Sequence, residues 1–237
     1  MENQFSRTAM LIGESGVKKL HDSRVAVFGI GGVGGYVVEA LVRSGLGFID
    51  IIDNDIVNET NLNRQIIATH STIGQYKVDV AKDRILDINP NANVLIHKTF
   101  FMPETAGEFD FPQYDYIVDA IDTVKGKIEL VLKAKEYNIP IISSMGAGNK
   151  MNPAMFEIAD IYKTSVCPLA KVMRYELKRR GIKDLKVVYS KEVPIKVAVE
   201  SELASDNKKA PTSNAFVPSV VGLIIASEVV KDLISQD

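Results

Sequence analysis

The sequence predicts an α/β protein built on a doubly wound, mostly parallel sheet, and two observations carry that expectation. Short β-branched apolar runs alternate with segments of helical spacing through the first two thirds of the chain, and a glycine cluster joins the first such run to the first such helix. Residues 24–28 (RVAVF) read as the first strand and residues 36–43 as the helix that follows the glycines. Gly45 and Gly47 carry the turn chemistry that hands this helix back to a strand at 48–53, which completes a βαβ unit. Residues 78–88 form an amphipathic helix stopped by Asn89-Pro90, residues 94–97 and 116–120 are further strands, and a helix at 125–137 precedes a strand at 139–143. Alternation of this kind covers a parallel sheet on both faces and places ligands at the carboxyl ends of its strands.

After Gly148 the pattern changes, and an additional C-terminal strand and helix segment follows. Residues 154–162 read as a strand, 169–180 as a strongly basic helix and 186–190 as another strand. Residues 201–213, rich in Ser, Asp, Asn and Lys with Pro211, read as a mobile loop before a closing helix at about 218–234. There is no internal repeat and no low-complexity tract.

With 46% apolar residues, a chain of 237 can bury one substantial core and is not a disordered polymer. Its 28 basic and 30 acidic residues give the whole-chain charge no leaning towards nucleic acid, so any such case rests on local clustering. The single cysteine, Cys167, excludes an internal disulfide framework and a CxxC-type zinc site; with no signal-like N-terminal segment, the chain reads as cytoplasmic. The most apolar stretch, 215–230, is interrupted by Pro218 and Glu228 and falls short of the roughly 20 residues that a membrane-spanning helix needs.

Gly29, Gly31, Gly32 and Gly34 fit G-x-G-x-x-G immediately after a strand and at the opening of a helix, the context of a Rossmann-like phosphate turn. Bare backbone there can approach a phosphate, and the exposed N–H groups and the positive end of the helix dipole hold its charge. Asp53, at the end of the next strand, is placed to accept hydrogen bonds from a ribose hydroxyl. The motif does not name the nucleotide, because dinucleotide enzymes share it. The residues that follow discriminate: Asn61, Arg64, Gln65 and Lys77 form a group of amides and cations that hydride transfer does not need, whereas displacement at an α-phosphate needs charge around the leaving pyrophosphate. Asp122, just past a strand end, either holds Mg²⁺ beside the phosphates or caps the helix after it. Arg64 and Lys77 otherwise read as solvated surface charge.

The GIGGVG string, the IDIIDNDIVNETNLNRQ segment, Lys77 and the DAID element together resemble the adenylating enzymes related to ubiquitin-activating enzymes and to those of thiamin and molybdopterin synthesis, over roughly residues 6–150. The resemblance implies ATP as the nucleotide: Asp53 on the ribose, Asn61 and Arg64 on the phosphates, Gln65 beside them, Lys77 on the triphosphate and Asp122 on magnesium. It also implies a homodimer in which Arg7 reaches the partner's ATP. Residues 1–150 then form the ATP-binding part, and 151–237 the substrate-facing part, of a single adenylating domain. The second half lacks the paired CxxC motifs of members that activate a sulfur-carrier protein, so no zinc is expected. It is similar instead, in FEIADIYKTSVCPLAKVMRYELKRRGI, VVYSKEVP and NAFVPSVVGLIIASEVV, to the tRNA threonylcarbamoyladenosine dehydratases. That family usually has aspartate where this chain has Cys167, so no catalytic cysteine is carried over; a small semi-buried residue at a helix start is the plainer reading.

That resemblance implies ATP-dependent adenylation of the carboxylate of threonylcarbamoyladenosine in tRNA, then ring closure within the substrate, which needs no protein nucleophile. For tRNA the local observation is the basic helix, where Lys171, Arg174 and Lys178 share a face and Arg179 and Arg180 follow. Read without the resemblance, such cations are as readily a solvated face, and Tyr175 either stacks on a base or packs against the sheet. Family association adds a cysteine desulfurase or sulfur-acceptor protein as a further partner. Two rival readings are adenylation of the C-terminal glycine of a sulfur-carrier protein and a nicotinamide-dependent oxidoreductase.

Overall fold

The computed structural model describes residues 3–196 and 212–235. The loop expected over 201–213 lies outside these residues except for Thr212 and Ser213. Strands β1 (Arg24–Phe28), β2 (Phe48–Ile52), β3 (Asn93–His97), β4 (Tyr116–Asp119), β5 (Ile141–Ser144), β6 (Phe156–Asp160) and β7 (Lys186–Ser190) form one sheet in the order β3-β2-β1-β4-β5-β7-β6. All neighbouring pairs are parallel except β6 and β7, which run antiparallel from Phe156 opposite Ser190 to Asp160 opposite Lys186. The doubly wound sheet expected from the sequence is present, and its crossover from β1 to β4 opens a crevice at the strand ends.

Strand alternation sorts the apolar residues into two cores. Val25 and Val27 of β1, with Tyr116 and Val118 of β4, face one layer, while Ala26, Phe28 and Ile117 face the other. The first layer holds α2 (Gly34–Arg43), α3 (Lys77–Ile88) and α6 (Val217–Ser235); the second holds α4 (Val124–Glu136) and α5 (Pro168–Arg179). Phe28 is fully buried and packs within an aromatic group of Phe101, Phe109 and Phe111, a burial worth about 1.5–3 kcal/mol for a side chain of this size.

Two elements differ from expectation. The chain opens with a helix, α1 (Ser6–Asp22), where the sequence assigns no element; it is kinked at Gly13 and buries only Gly16 and Leu20. The strand expected over 154–162 is shorter, because tight 3₁₀ turns at Pro153–Met155 and Ile161–Lys163 flank β6. Asn152 and Asp160 set these turns by accepting from the backbone N–H groups of Ala154 (3.0 Å) and Tyr162 (2.9 Å). Among the described residues no helix is long and apolar enough to cross a membrane.

Candidate active site

A cleft of about 360 Å³ lies at the carboxyl ends of the central strands. Its floor is the turn between β1 and α2. Gly29 has φ of +89°, and a Cβ there would lie 2.7 Å from the Ala120 carbonyl oxygen, so glycine alone lets this turn press against the end of β4. Among the described residues, the N–H groups of Gly31, Gly32 and Val33 have no protein acceptor, and all three residues line the cleft. Three amides without a protein acceptor at a helix N-terminus are an arrangement suited to an anion.

Asp53 stands beside this turn. Its Oδ2 accepts from the Ile30 N–H at 2.7 Å and its Oδ1 from the Asp55 N–H at 2.9 Å, so the carboxylate braces the glycine turn against the end of β2 while keeping lone pairs for a ligand. Burial pushes its pKa above the ordinary carboxylate range, against the opposing pull of Lys77 and of the two N–H groups. Lys77, at the first position of α3, is almost fully buried and bonds Asp55 Oδ2 at 2.6 Å. Arg64 is held by the Thr60 carbonyl at 2.8 Å and Asn63 Oδ1 at 2.9 Å, with no carboxylate partner among the described residues. Asn61 is buried and closes a capping box with Asn58, whose N–H it accepts at 3.0 Å. Gln65 is buried beside Gly31, and its Oε1 has no partner among the described residues, the kind of orphaned group that a ligand satisfies. Asp122 is exposed on the cleft wall; it accepts no hydrogen bond from α4, whose capping position is Thr123, so it is not a helix cap.

A family model of the ThiF family matches residues 5–237. The chain belongs to the ThiF family. It is 48% identical to the tRNA threonylcarbamoyladenosine dehydratase of Bacillus subtilis, over all of this chain and 96% of that protein. It is 38% identical to the protein of the same name in Escherichia coli, over 74% of this chain and 65% of the other. Among solved structures, the E. coli enzyme TcdA in complex with ATP matches with a TM-score of 0.89 at 31% identity, covering 98% of this chain and 94% of that one. TcdA in complex with AMP matches with the same TM-score at 32% identity.

In this ThiF-family cleft, Gly29, Gly31, Gly32, Asp53, Asn61, Arg64, Gln65, Lys77 and Asp122 come together. Gly34 does not line it. That residue is buried as the first of α2, and a Cβ on it would sit 1.8 Å from the Gly29 carbonyl oxygen, so its absence of a side chain serves the packing of helix on turn. Arg7 lies on α1, exposed and away from the cleft of its own chain. Sequence reasoning missed the lining residues Thr99, Phe100 and Phe101 after β3, and Ser213 and Pro218 from the far end of the chain. Asn63, next to Arg64, donates from Nδ2 to the Ser213 carbonyl at 3.2 Å and so ties that distant segment to the cleft.

The basic helix α5 is more constrained than its sequence suggests. Arg174 donates to the Thr164 carbonyl at 3.1 Å and to the Thr164 hydroxyl, and Arg180 pairs with Glu176 at 2.5 Å. Arg179 lies 5.5 Å from the centre of the Tyr175 ring, which is 61% exposed and so does not pack against the sheet. Lys171 and Lys178 are exposed, with no acidic partner among the described residues. Cys167 is buried at the start of α5, which removes its thiol from the cleft.

Proposed function

We propose that this chain is a tRNA threonylcarbamoyladenosine dehydratase, a single adenylating unit that works in the cytoplasm. What supports the reading is the meeting, in one cleft, of turn amides, an arginine and an aspartate that, among the described residues, have no acceptor, no carboxylate partner and no partner respectively, in a chain similar along its whole length to the B. subtilis enzyme of that name. A carboxylate oxygen of the threonylcarbamoyl group attacks the α-phosphorus of ATP, and the bond to pyrophosphate breaks. The carbamoyl group then attacks the acyl carbon of the adenylate, AMP leaves with the carboxylate oxygen and a proton is lost. Ring closure joins groups already held together, so no protein nucleophile is called for.

Asp53 takes the ribose hydroxyls, and Ile52, Phe100 and Phe101 offer apolar wall to a flat base. The amides of Gly31, Gly32 and Val33 hold phosphate oxygens, with Gln65 and Asn61 beside them. Arg64 offers its full charge to the leaving pyrophosphate, whereas Lys77 shares its charge with Asp55. A carboxylate with no partner among the described residues fits Mg²⁺, which takes one or two protein carboxylates and otherwise phosphates and water; Asp122 would be that ligand. When bound, the ion neutralises charge gathering on the pyrophosphate.

Mass spectrometry of nucleosides from threonylcarbamoylated tRNA, incubated with the protein and ATP, should show a product lighter by one water. Unaltered nucleoside, with pyrophosphate exchange driven only by a sulfur-carrier protein, would transfer the assignment to that rival. Ionised Asp53 is the form that accepts from ribose, so AMP affinity should fall as pH drops through its raised pKa, above the usual aspartate value of about 3.9. Asp53→Asn should flatten that fall after the phosphate's own titration is subtracted, and superimposable curves from calorimetry would reject the role.

The substrate face for tRNA is α5, with Lys171 and Lys178 as its free cations and Arg174 and Arg180 contributing less. Neutralising Lys178, Arg179 and Arg180 together should weaken tRNA binding and reduce the slope of log affinity against log salt, by up to about 0.9 for each phosphate that is no longer neutralised. An unchanged slope removes the helix from the interface. The active form is a homodimer: Met10 and Leu11 on α1 are 89% and 85% exposed beside Arg7, an apolar face suited to a second copy that brings Arg7 to the partner's pyrophosphate. Mixing Arg7→Ala with an Arg64→Ala variant should restore activity, because one of the hybrid's two clefts has both arginines; no recovery in the mixture counts against that exchange.

A further inference from the structure

Beneath the cleft lies a pair of charges fully removed from solvent. Lys127, in the first turns of α4, and Asp119, the last residue of β4, are both 0% exposed. The Lys127 ammonium donates to both carboxylate oxygens of Asp119, at 3.0 and 3.1 Å, and to the Ser144 carbonyl at 2.7 Å; it also approaches the Ser143 hydroxyl at 3.4 Å. The Ser143 hydroxyl in turn donates to Asp119 Oδ2. One ammonium is therefore bonded to the ends of two neighbouring strands, β4 and β5.

Each of those strand ends continues into a different wall of the cleft. After Asp119 come Ala120, Ile121 and Asp122, and the Ile121 N–H is tied back to Asp119 Oδ1 at 3.3 Å. After Ser144 the chain runs through Met145 and Gly146 to Ala147 and Gly148 on the other wall. The lysine is itself anchored, because α4 approaches so closely at Gly126 that a Cβ there would lie 2.8 Å from the Phe101 carbonyl oxygen and from Ile121 Cδ1. A buried ion pair is a poor device for stability, since desolvating both charges cancels much of their attraction. Holding two loops at a fixed separation is a task for which its several directed bonds are suited.

We infer that Lys127 is a positioning residue for adenylyl transfer, fixing the Asp122 wall relative to the Gly148 wall. The inference rests on the adenylating function proposed above. Lys127 bonds neither to the glycine turn nor to Asp53, so loss of the cross-tie should leave nucleotide affinity in place and slow the chemical step. A displacement of about 1 Å of a group in a reacting constellation can cost about 100-fold in rate.

The test compares wild type, Lys127→Met and the double variant Asp119→Asn with Lys127→Met, by thermal melting, AMP affinity and ATP–pyrophosphate exchange with threonylcarbamoylated tRNA. Lys127→Met alone leaves a buried carboxylate unpaired and should melt well below wild type. The double variant removes both charges and keeps an acceptor for the Ile121 N–H, so it should regain most of the lost melting temperature. Its exchange kcat should nonetheless stay about 10- to 100-fold below wild type, with AMP affinity within about threefold. Exchange that recovers with the melting temperature overturns the inference, as does AMP affinity falling in step with kcat. If the double variant does not fold, Ser143→Ala carries the test: it loses one buried hydrogen bond to Asp119 and should melt modestly below wild type, with AMP affinity unchanged and exchange at least about threefold slower, and an unchanged rate overturns the inference. Absence of exchange in wild type rejects the adenylating function instead.

Discussion

Asp122→Ala is expected to abolish product formation while leaving the protein folded and its AMP affinity nearly unchanged. The carboxylate is exposed, bonds to no described residue and does not cap α4, so its removal should change stability by no more than about 0.5 kcal/mol. Its effect falls on the step in which pyrophosphate leaves. Losing a charge-stabilising group of this kind costs about 100-fold or more in kcat, equivalent to about 2.7 kcal/mol of transition-state stabilisation. Exchange kinetics and a melting curve on the same sample check both halves. Turnover within about threefold of wild type would remove Asp122 from the machinery, and a large drop in melting temperature would give it a structural task instead.

Gly34→Ala should act in the opposite way, through the fold. A methyl group 1.8 Å from the Gly29 carbonyl oxygen and 2.9 Å from its carbon has no rotamer by which to escape, so either α2 or the turn must move. Overpacking of this severity costs about 3 kcal/mol or more. That corresponds to a fall of roughly 6–12 °C in melting temperature for a chain of this size. Gly31→Ala supplies the contrast, because its added methyl group meets only Gln65 Nε2, at 3.8 Å. It should melt like wild type and bind AMP about tenfold less tightly, since the methyl group occupies the approach to an unpaired amide. Equal melting temperatures for the two variants would contradict this division of labour among the glycines.

The glycine-turn side of the cleft is legible in the sequence because Gly29, Asp53, Asn61, Arg64 and Lys77 belong to one continuous stretch from the end of β1 to the start of α3: the strand period places Gly29 and Asp53 at strand ends, and the amides and cations of the other three stand out by residue type in the segment that follows. Thr99, Phe100, Ser213 and Pro218 reach the same cleft from separate crossings of the sheet, and no local pattern marks them. Helix α1 escapes notice for a different reason. Periodicity reports burial, and this helix buries only Gly16 and Leu20 while Met10 and Leu11 face outward and Gly13 interrupts its backbone. The sequence overstates β6 because apolar residues continue into the 3₁₀ turns at its ends, and only the caps at Asn152 and Asp160 mark where pairing stops. Charge partners are also invisible at that level: nothing in the spacing reveals that Lys77 is held by Asp55, or that Asp53 grips the Ile30 amide.

The C-terminal helix has a bearing on how the protein is made. At Gly222, α6 lies so close to α2 that a Cβ would come within 2.4 Å of the Val33 carbonyl oxygen and 2.8 Å of Tyr36 Cβ. The glycine turn thus leans on a helix that the ribosome delivers long after the turn itself has emerged. A nascent chain carrying only the early strands has its glycines in place but not their backing, so the turn takes its final packing only once α6 docks.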